Sequence, residues 1–288
     1  MKDIKVAVVD DSPFSVIMLS NILTESGFNV VGSAGTLEEA VEMVSQQKPD
    51  VVTMDMTMPG TDGLTVTKAI HVVDPNIKVI VVSSMMDEEI VHNAKKAKVS
   101  GYIQKPVDAE ELTLIINRVM ADEELFSELD KLYFTVFQEA LNDTFNRMFK
   151  FAPTFRDEVR GNVERTSQGF SIVMGIIGKY GGRMILDMAP EEASEFTARL
   201  LHKEPASLKN EDFLSVMGEF SNIVAGIACS LMNKSNKLLG LRVAPPTIIH
   251  GESVVISKSD LDTVSSVKAD SPFGELYMSV GFNRGECE

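Results

Sequence analysis

The sequence predicts an α/β domain built on a doubly wound, five-stranded parallel sheet, followed by a second domain of the α+β class. Two observations predict the first domain: its apolar runs are short and continuous, and segments of helical length separate them. A third predicts the second domain, because beyond Pro153 two apolar runs are joined by a glycine-containing turn, as in a hairpin. With 288 residues, the chain is long enough for two domains with separate cores.

Composition and charge argue against several classes of function. The net charge of −15 disfavours non-specific binding to nucleic acid or to an anionic membrane, because both need lysine and arginine to neutralise phosphates. No apolar run approaches the length of a membrane span, and no signal segment precedes the first strand. Cys229 and Cys287 fit no metal-ligand spacing, and Cys229 is expected to be a small core residue. We therefore expect a cytoplasmic protein that binds neither nucleic acid nor membrane.

Five apolar runs predict the strands of the parallel sheet: KVAVVD (5–10), NVVGSA (29–34), DVVTMD (50–55), KVIVVSS (78–84) and SGYIQK (100–105). In such sheets, ligands bind beyond the carboxyl ends of the strands. Four of the runs end in polar residues, which are Asp10 and Asp11, Asp55, Ser83 and Lys105. The sequence therefore predicts that these side chains meet at one edge of the sheet.

The chemistry of this edge indicates phosphoryl transfer. Three carboxylates repel each other unless a cation joins them, and Mg²⁺ prefers oxygen ligands. A hydroxyl and an ammonium at the same edge can bind the oxygens of a tetrahedral anion. The set is consistent with a carboxylate that attacks a phosphoryl group and becomes an aspartyl phosphate.

These residues resemble the response-regulator receiver domain, as found in the chemotaxis regulator CheY. The resemblance covers residues 1–120 and rests on the Asp10–Asp11 pair, DMTMPGTDG (55–63), Ser83 and the Lys105–Pro106 pair. It implies that Asp55 accepts phosphate from a sensor histidine kinase. It also implies that Ser83 and Lys105 bind the phosphoryl oxygens.

The same resemblance implies a magnesium site and a switch residue. Mg²⁺ would be held by Asp11, Asp55 and the backbone carbonyl of Thr57, with Asp10 helping through water. Tyr102 matches the aromatic position that changes rotamer when the hydroxyl residue moves. One departure from the family pattern is Ser84, which stands where alanine is usual.

The segment between the two domains contains neither glycine nor proline from residue 107 to residue 152. Its apolar residues recur at three- and four-residue steps, as in a helix. We expect the last helix of the first domain to continue through a helical linker at 121–131 into a domain at 132–288. Two helices with a short polar break are the alternative.

A helix predicted from about Asn210 to Asn233 carries two stripes. One is apolar and predicts a core-facing side, comprising Phe213, Met217, Phe220 and Val224. The other comprises Ser215, Glu219, Asn222 and Gly226, and includes a glycine that costs helix stability. A solvated face is the simpler interpretation of this second stripe.

The second stripe resembles the signature of the CheC/CheX/FliY aspartyl-phosphate phosphatases. In that family a serine or aspartate precedes an ExxN pair on an exposed helix, as Ser215 precedes Glu219 and Asn222 here. The resemblance covers 132–288 and implies that Glu219 and Asn222 are catalytic. A single strong copy of the motif is more similar to CheX than to CheC. A second pair, Glu139 and Asn142, lacks the serine or aspartate, and we interpret it as chance.

The leading hypothesis is a two-component response regulator whose second domain dephosphorylates CheY-like receivers in chemotaxis or a related phosphorelay. A version acting on Asp55 of the same chain or of a dimer partner is the next. A different class is a non-catalytic adaptor or dimerisation switch controlled by phosphorylation of Asp55. The resemblance to dimeric CheX implies a homodimer.

Overall fold

A computed structural model describes residues 3–84, 97–161, 165–251, 255–256 and 261–284 of the chain. The chain divides into two compact units between Glu124 and Leu125. Cys229 is buried in the apolar core of the second unit, as predicted, and burial raises the pKa of its thiol to about 12. Cys287 lies outside the described residues.

The first unit is built on a five-stranded sheet in the order β2-β1-β3-β6-β7, and every neighbouring pair is parallel. This sheet confirms the predicted α/β fold. Its strands are β1 Lys5–Val9, β2 Asn29–Ala34, β3 Val51–Asp55, β6 Lys78–Ser83 and β7 Gly101–Gln104. The short strands β4 Thr57–Met58 and β5 Thr61–Asp62 pair with each other. The described helices before β6 are α1 Pro13–Glu25, α2 Leu37–Gln47 and α3 Gly63–Val73.

The continuous apolar runs follow from burial of both faces of this sheet. Along β1, Val6 and Val8 pack into one apolar cluster, and Ala7 and Val9 pack into another. Successive side chains of a strand point to opposite faces, so a strand covered on both sides has no solvated position. Polar residues are therefore confined to the strand ends, where the predicted site lies.

One helix, α4 Ala109–Phe149, occupies the segment without glycine and proline. Of the two alternatives, the structure has the continuous helix. Leu112 and Ile116 pack into the core of the first unit, whereas Leu129 and Phe137 pack into the core of the second. The domain limits at 121 and 132 stay a prediction, because the helix itself carries no break.

The second unit confirms the predicted α+β class. Its main sheet is antiparallel in the order β12-β10-β11-β16-β15-β8, and β13 also pairs with β10. The strands are β8 Thr154–Arg160, β10 Phe170–Ile177, β11 Gly181–Met188, β12 Arg242–Val243, β13 Thr247–His250, β15 Thr263–Ser271 and β16 Gly274–Asn283. A separate pair comprises β9 Arg165–Thr166 and β14 Val255–Ile256. The helices are α5 Pro190–Leu201 and α6 Asn210–Ser235.

Two strands of this sheet were not predicted from the sequence. Strand β8 is mostly exposed and highly charged, so it lacks the alternation that marks a half-buried strand. Strand β15 is rich in serine, yet Ser265 is buried and accepts a hydrogen bond from the hydroxyl of Tyr133 at 2.8 Å. Tertiary partners satisfy these polar groups, which local sequence patterns do not reveal.

Helix α6 is the central helix of the second unit. Its apolar stripe is fully buried at Met217, Phe220 and Val224, as predicted. By length and composition alone, this helix is also apolar enough to cross a membrane. Packing of the stripe against the sheet and against α4 accounts for that apolar content.

Gly63, at the start of α3, packs closely against the backbone that follows Asp55. A Cβ atom on Gly63 would lie 2.3 Å from the backbone oxygen of Asp55 and 3.1 Å from the Cα of Met56. We expect Gly63→Ala to lower the stability of the first unit by about 1–3 kcal/mol, because backbone must move to admit the methyl group. Hydrogen exchange of amides in β1 and β3 of the full chain measures this loss.

The matched control is Gly35→Ala. A Cβ there would meet its nearest atoms at 3.7 and 3.8 Å, which is ordinary van der Waals contact. We expect a change within about 1 kcal/mol for this variant. Equal protection of β1 and β3 in both variants would contradict the close packing at Gly63.

Candidate functional site

The carboxyl ends of β1, β3 and β7 bring an ammonium between two carboxylates. The Lys105 Nζ donates hydrogen bonds to Asp10 Oδ2 at 2.9 Å and to Asp55 Oδ1 at 2.6 Å. Parallel pairing of β1 with β3 aligns the ends of the strands that carry the two acids. These three predicted site residues therefore form one cluster.

Burial makes this ion pair a strong electrostatic element. Asp10 is 3% exposed and Asp55 is 7% exposed. Burial by itself would lower the pKa of Lys105, but its hydrogen bonds and charge interactions with Asp55 and Asp10 outweigh burial and raise the pKa above its usual value. The lysine therefore stays charged at neutral pH, and it offsets the mutual repulsion of the two carboxylates.

Backbone amides hold the two carboxylates in place. The amide of Ser12 donates to Asp10 Oδ1 at 2.9 Å, and the amide of Thr57 donates to Asp55 Oδ2 at 2.8 Å. Ser12 also caps α1, since its hydroxyl accepts from the amide of Ser15. Sequence analysis did not single out Ser12, although serine followed by proline is a common helix start.

The other predicted residues of the first site differ in burial. Ser83 is buried at the end of β6, and Tyr102 is half-buried on β7. Asp11 and Thr57 are exposed. Within the described ranges, no group of three acidic, histidine or cysteine side chains is placed to hold a metal ion. Carboxylate and carbonyl oxygens are of the kind that Mg²⁺ prefers, so the predicted set fits the ion in chemistry.

The polar stripe of α6 is solvent-facing in the structure. Ser215, Glu219 and Asn222 are all exposed, and they lie on successive turns of one helical face. Gly226 continues the stripe, and a Cβ added there would meet nothing within 4 Å. The helix thus presents a carboxylate and an amide on a rigid element, with open space one turn further on.

Two residues beside this stripe were not predicted. Gly218 is buried, and a Cβ there would lie 3.5 Å from Pro246 Cγ, so the segment before β13 runs close to the helix. Leu214 is 54% exposed next to Ser215, although it is a large apolar side chain. The glycine in SVMGEF was the sequence signal for the close approach of Pro246.

The second ExxN pair has a weaker arrangement. Thr135 and Glu139 are exposed on α4, but Asn142 is half-buried. An amide that is partly covered is less available to a partner protein than the exposed Asn222. The structure gives no reason to replace the interpretation of this pair as chance.

Comparison with protein families matches both parts of the chain. The model of the response regulator receiver domain matches residues 6–117, and the model of the chemotaxis phosphatase CheX matches residues 170–268. The chemotaxis protein CheY of Thermotoga maritima is 41% identical over 115 residues, which is 40% of this chain and 96% of that protein. CheY of Bacillus subtilis is 36% identical over 116 residues, covering 40% of this chain and 97% of the relative.

Solved structures align with parts of the chain. A CheX structure from Desulfovibrio desulfuricans aligns with a TM-score of 0.47 and 18% identity, covering 52% of this chain and 99% of that one. A chain of a CheX–CheY–BeF₃–Mg²⁺ complex from Borrelia burgdorferi aligns with a TM-score of 0.39 and 34% identity. This alignment covers 41% of this chain and 89% of that one.

The lysine cluster generates a prediction about stability. We expect Lys105→Met to lower the free energy of opening of β1 and β3 at pH 7 by about 1–3 kcal/mol, because it leaves two buried carboxylates without a cation. Added Mg²⁺ should restore part of the loss by supplying positive charge. Hydrogen exchange of the full chain, with and without Mg²⁺, measures both effects.

Lys68→Met is the control for this experiment, since Lys68 is an exposed lysine on α3. Its change should stay within about 0.5 kcal/mol. If the amides of β1 and β3 were as protected from exchange in Lys105→Met as in the wild-type chain, the cluster would not stabilise the first unit.

Proposed function

Because this chain belongs to the response-regulator family and carries a domain of the chemotaxis phosphatase CheX family after its receiver domain, we propose that Asp55 is phosphorylated and that α6 dephosphorylates receivers. The substrate is the aspartyl phosphate of a CheY-like receiver. One observation carries the proposal: Glu219 and Asn222 stand exposed on a helix whose other face is the core of its unit.

In the receiver domain, the Asp55 carboxylate attacks the phosphorus of the donor and becomes an acyl phosphate as the donor's bond to phosphorus breaks. Lys105 already contacts Asp55 and would bind a phosphoryl oxygen. Ser83, buried at the end of the neighbouring strand, would donate from its hydroxyl to another. Tyr102, half-buried on β7, would be the residue that changes rotamer with Ser83.

Mg²⁺ use is general among receiver domains, and here Asp10, Asp11, Asp55 and the carbonyl of Thr57 would hold the ion. When bound, it supplies positive charge that offsets the charge of the phosphoryl oxygens. The buried ion pair of Lys105 with Asp10 and Asp55 supports this assignment, because it has already brought two of the carboxylates together.

Hydrolysis needs a water molecule in line with the bond between phosphorus and the aspartyl oxygen. The amide oxygen of Asn222 would accept a hydrogen bond from that water, and its amide nitrogen would donate one to it. These bonds orient the water without removing its proton. As the water oxygen bonds to phosphorus, the aspartyl oxygen leaves as a carboxylate and inorganic phosphate carries the proton away. Glu219 would pair with the lysine of the substrate receiver that corresponds to Lys105 here, and this ion pair would fix the docking.

The partners follow from the two domains. A sensor histidine kinase would be the phosphodonor, a CheY-like receiver the substrate, and a second copy of the chain the dimer partner, within the cytoplasm. The match to the CheX family model and the similarity to CheY proteins both support chemotaxis as the pathway. In the self-limiting version, α6 would act instead on Asp55 of the same chain or of the dimer partner.

A comparison of Asn222→Ala and Asn142→Ala tests the proposal. We expect Asn222→Ala to slow phosphate release from a phosphorylated CheY-like receiver by at least about 100-fold, because the water loses its orienting group. Asn142→Ala should change the rate by less than about twofold, since this amide belongs to the imperfect pair. Release of labelled phosphate from the separate receiver, with Mg²⁺ present, measures both rates.

Asp55→Asn distinguishes action on a separate receiver from action on this chain. The variant cannot form its own acyl phosphate, so release from an added receiver must come from action in trans. If Asn222→Ala left turnover unchanged toward every receiver and toward the chain itself, the second domain would be a binding scaffold and the adaptor hypothesis would replace the phosphatase.

Gly226 generates a second prediction about the same face. A Met side chain at this position would project into the open space that a docking receiver needs. We expect Gly226→Met to raise KM about tenfold and to leave kcat within about twofold, because docking weakens while the reacting groups stay. Steady-state phosphate release at varied receiver concentration separates the two constants.

Gly226→Ala is the matched control, because a methyl group there meets nothing within 4 Å. It should stabilise α6 by about 1 kcal/mol, since alanine favours helix over glycine, and it should keep KM close to that of the parent chain. A KM for Gly226→Met equal to that for Gly226→Ala would mean that the receiver does not approach this turn.

A further inference from the structure

We propose that the second unit contains a binding site for a small planar ring that carries a phosphate or carboxylate group, in the cleft between the ends of α4 and α5 and the β15–β16 turn. This site lies apart from Glu219 and Asn222 in sequence and uses neither residue. It therefore goes beyond the phosphatase activity, and it does not depend on that activity.

The cleft has the size of a small-molecule site. Its volume is about 450 Å³, within the range of roughly 300–1,000 Å³ that is usual for ligand pockets. Its lining comes from four segments. These are the end of α4 and the residues just after it (Phe149 and Phe151), the last two turns of α5 and the two residues after them (Glu195, Ala198, Arg199, His202 and Lys203), Pro205, and the turn at Pro272 and Phe273.

Aromatic rings form one wall of this cleft. Phe149, Phe151 and Phe273 are each half-buried, so part of their surface remains open. The ring centroid of Phe149 lies 4.7 Å from that of Phe273 and 4.9 Å from that of Phe196, whose side chain is fully buried. These contacts fix the rings against the core, and a fixed half-open ring is a surface on which a planar ligand can stack.

Basic side chains line the other wall. Arg199, His202 and Lys203 are exposed and line the cleft together with a single acid, Glu195, in a chain whose net charge is −15. Lys203 is paired with Asp212 at 2.9 Å, which leaves Arg199 as the main unpaired cation. Among the described residues, Arg199 makes no hydrogen bond and no ion pair. Its guanidinium has five donors in a fork that matches a carboxylate or a phosphate.

A structural role explains only part of this arrangement. Cations are common in the last turn of a helix, because they interact favourably with its negative end. That role would explain Arg199 alone, and it requires no cavity beside the residue. Glu195, one turn earlier on α5, would be the expected partner for a surface ion pair, yet no such pair forms with Arg199 in the described chain. The guanidinium lines a cleft walled by aromatic rings instead.

Calorimetric titration of the full chain with four probes tests the proposal. Adenosine 5′-monophosphate carries a ring and a phosphate, and 4-hydroxybenzoate carries a ring and a carboxylate. Adenosine lacks the anion, and inorganic phosphate lacks the ring. We expect at least one of the first two to bind with a Kd at or below about 1 mM and at least about tenfold more tightly than adenosine and phosphate do. The probe that binds identifies the anion.

Arg199→Gln should weaken binding of that probe by about tenfold or more, because it removes the charge-assisted hydrogen bonds. Arg242→Gln is the control, since Arg242 is an exposed arginine of the same unit that does not line the cleft. Phosphate release by Arg199→Gln should equal that of the parent chain, which keeps this test separate from the proposed function. The proposal would be overturned if neither adenosine 5′-monophosphate nor 4-hydroxybenzoate bound, or if inorganic phosphate bound as tightly as they do. It would also be overturned if Arg199→Gln bound the probe as tightly as the parent chain does.

Discussion

The ion pair of Lys105 with Asp10 and Asp55 is the interaction on which the proposed phosphoacceptor site depends. Two carboxylates that are almost fully buried repel each other strongly, and the ammonium between them at 2.9 and 2.6 Å offsets that repulsion. The backbone amides of Ser12 and Thr57 bind the remaining carboxylate oxygens. The site is therefore held by its own charges and hydrogen bonds. In the proposed function, a phosphoryl group would meet Lys105 already in contact with Asp55.

The second unit relies on a different constraint, which is the division of α6 into two faces. Burial of Met217, Phe220 and Val224 anchors the helix in the core, so the opposite stripe is held rigidly while it faces solvent. A rigid helix suits the proposed docking surface, because the Asn222 amide, which is proposed to orient water, must keep its position when the partner arrives. In the proposed function, the chain thus combines an acceptor of phosphate with a helix face that removes phosphate. The cleft lined by Phe149, Phe273 and Arg199 is proposed to bind a small anion on the same unit.

Elements whose apolar residues recur with a clear period were predictable from the sequence. Elements whose polar groups depend on hydrogen-bond partners far away in the sequence were not. The five parallel strands and α6 follow from continuous apolar runs and from helical spacing. Strands β8 and β15 lack either signal, since β8 is charged and β15 depends on partners such as Tyr133 for its serines. The prolines at 245 and 246 separate β12 from β13, because proline cannot donate to a sheet.

For the sites, the sequence by itself determined which residues have the required chemistry: acids, a hydroxyl and a lysine at strand ends, and a Glu–Asn pair one turn apart on a helix. Local spacing suffices for these, since strand direction and helical pitch place them without reference to distant contacts. Only the tertiary structure decided that Lys105 bridges Asp10 and Asp55, and that Pro246 lies close to Gly218 beside the Glu–Asn stripe. It also decided that Arg199, Phe149 and Phe273 line one cleft. Each of these joins residues far apart in sequence, and their proximity arises from packing of the whole unit, which no local pattern encodes.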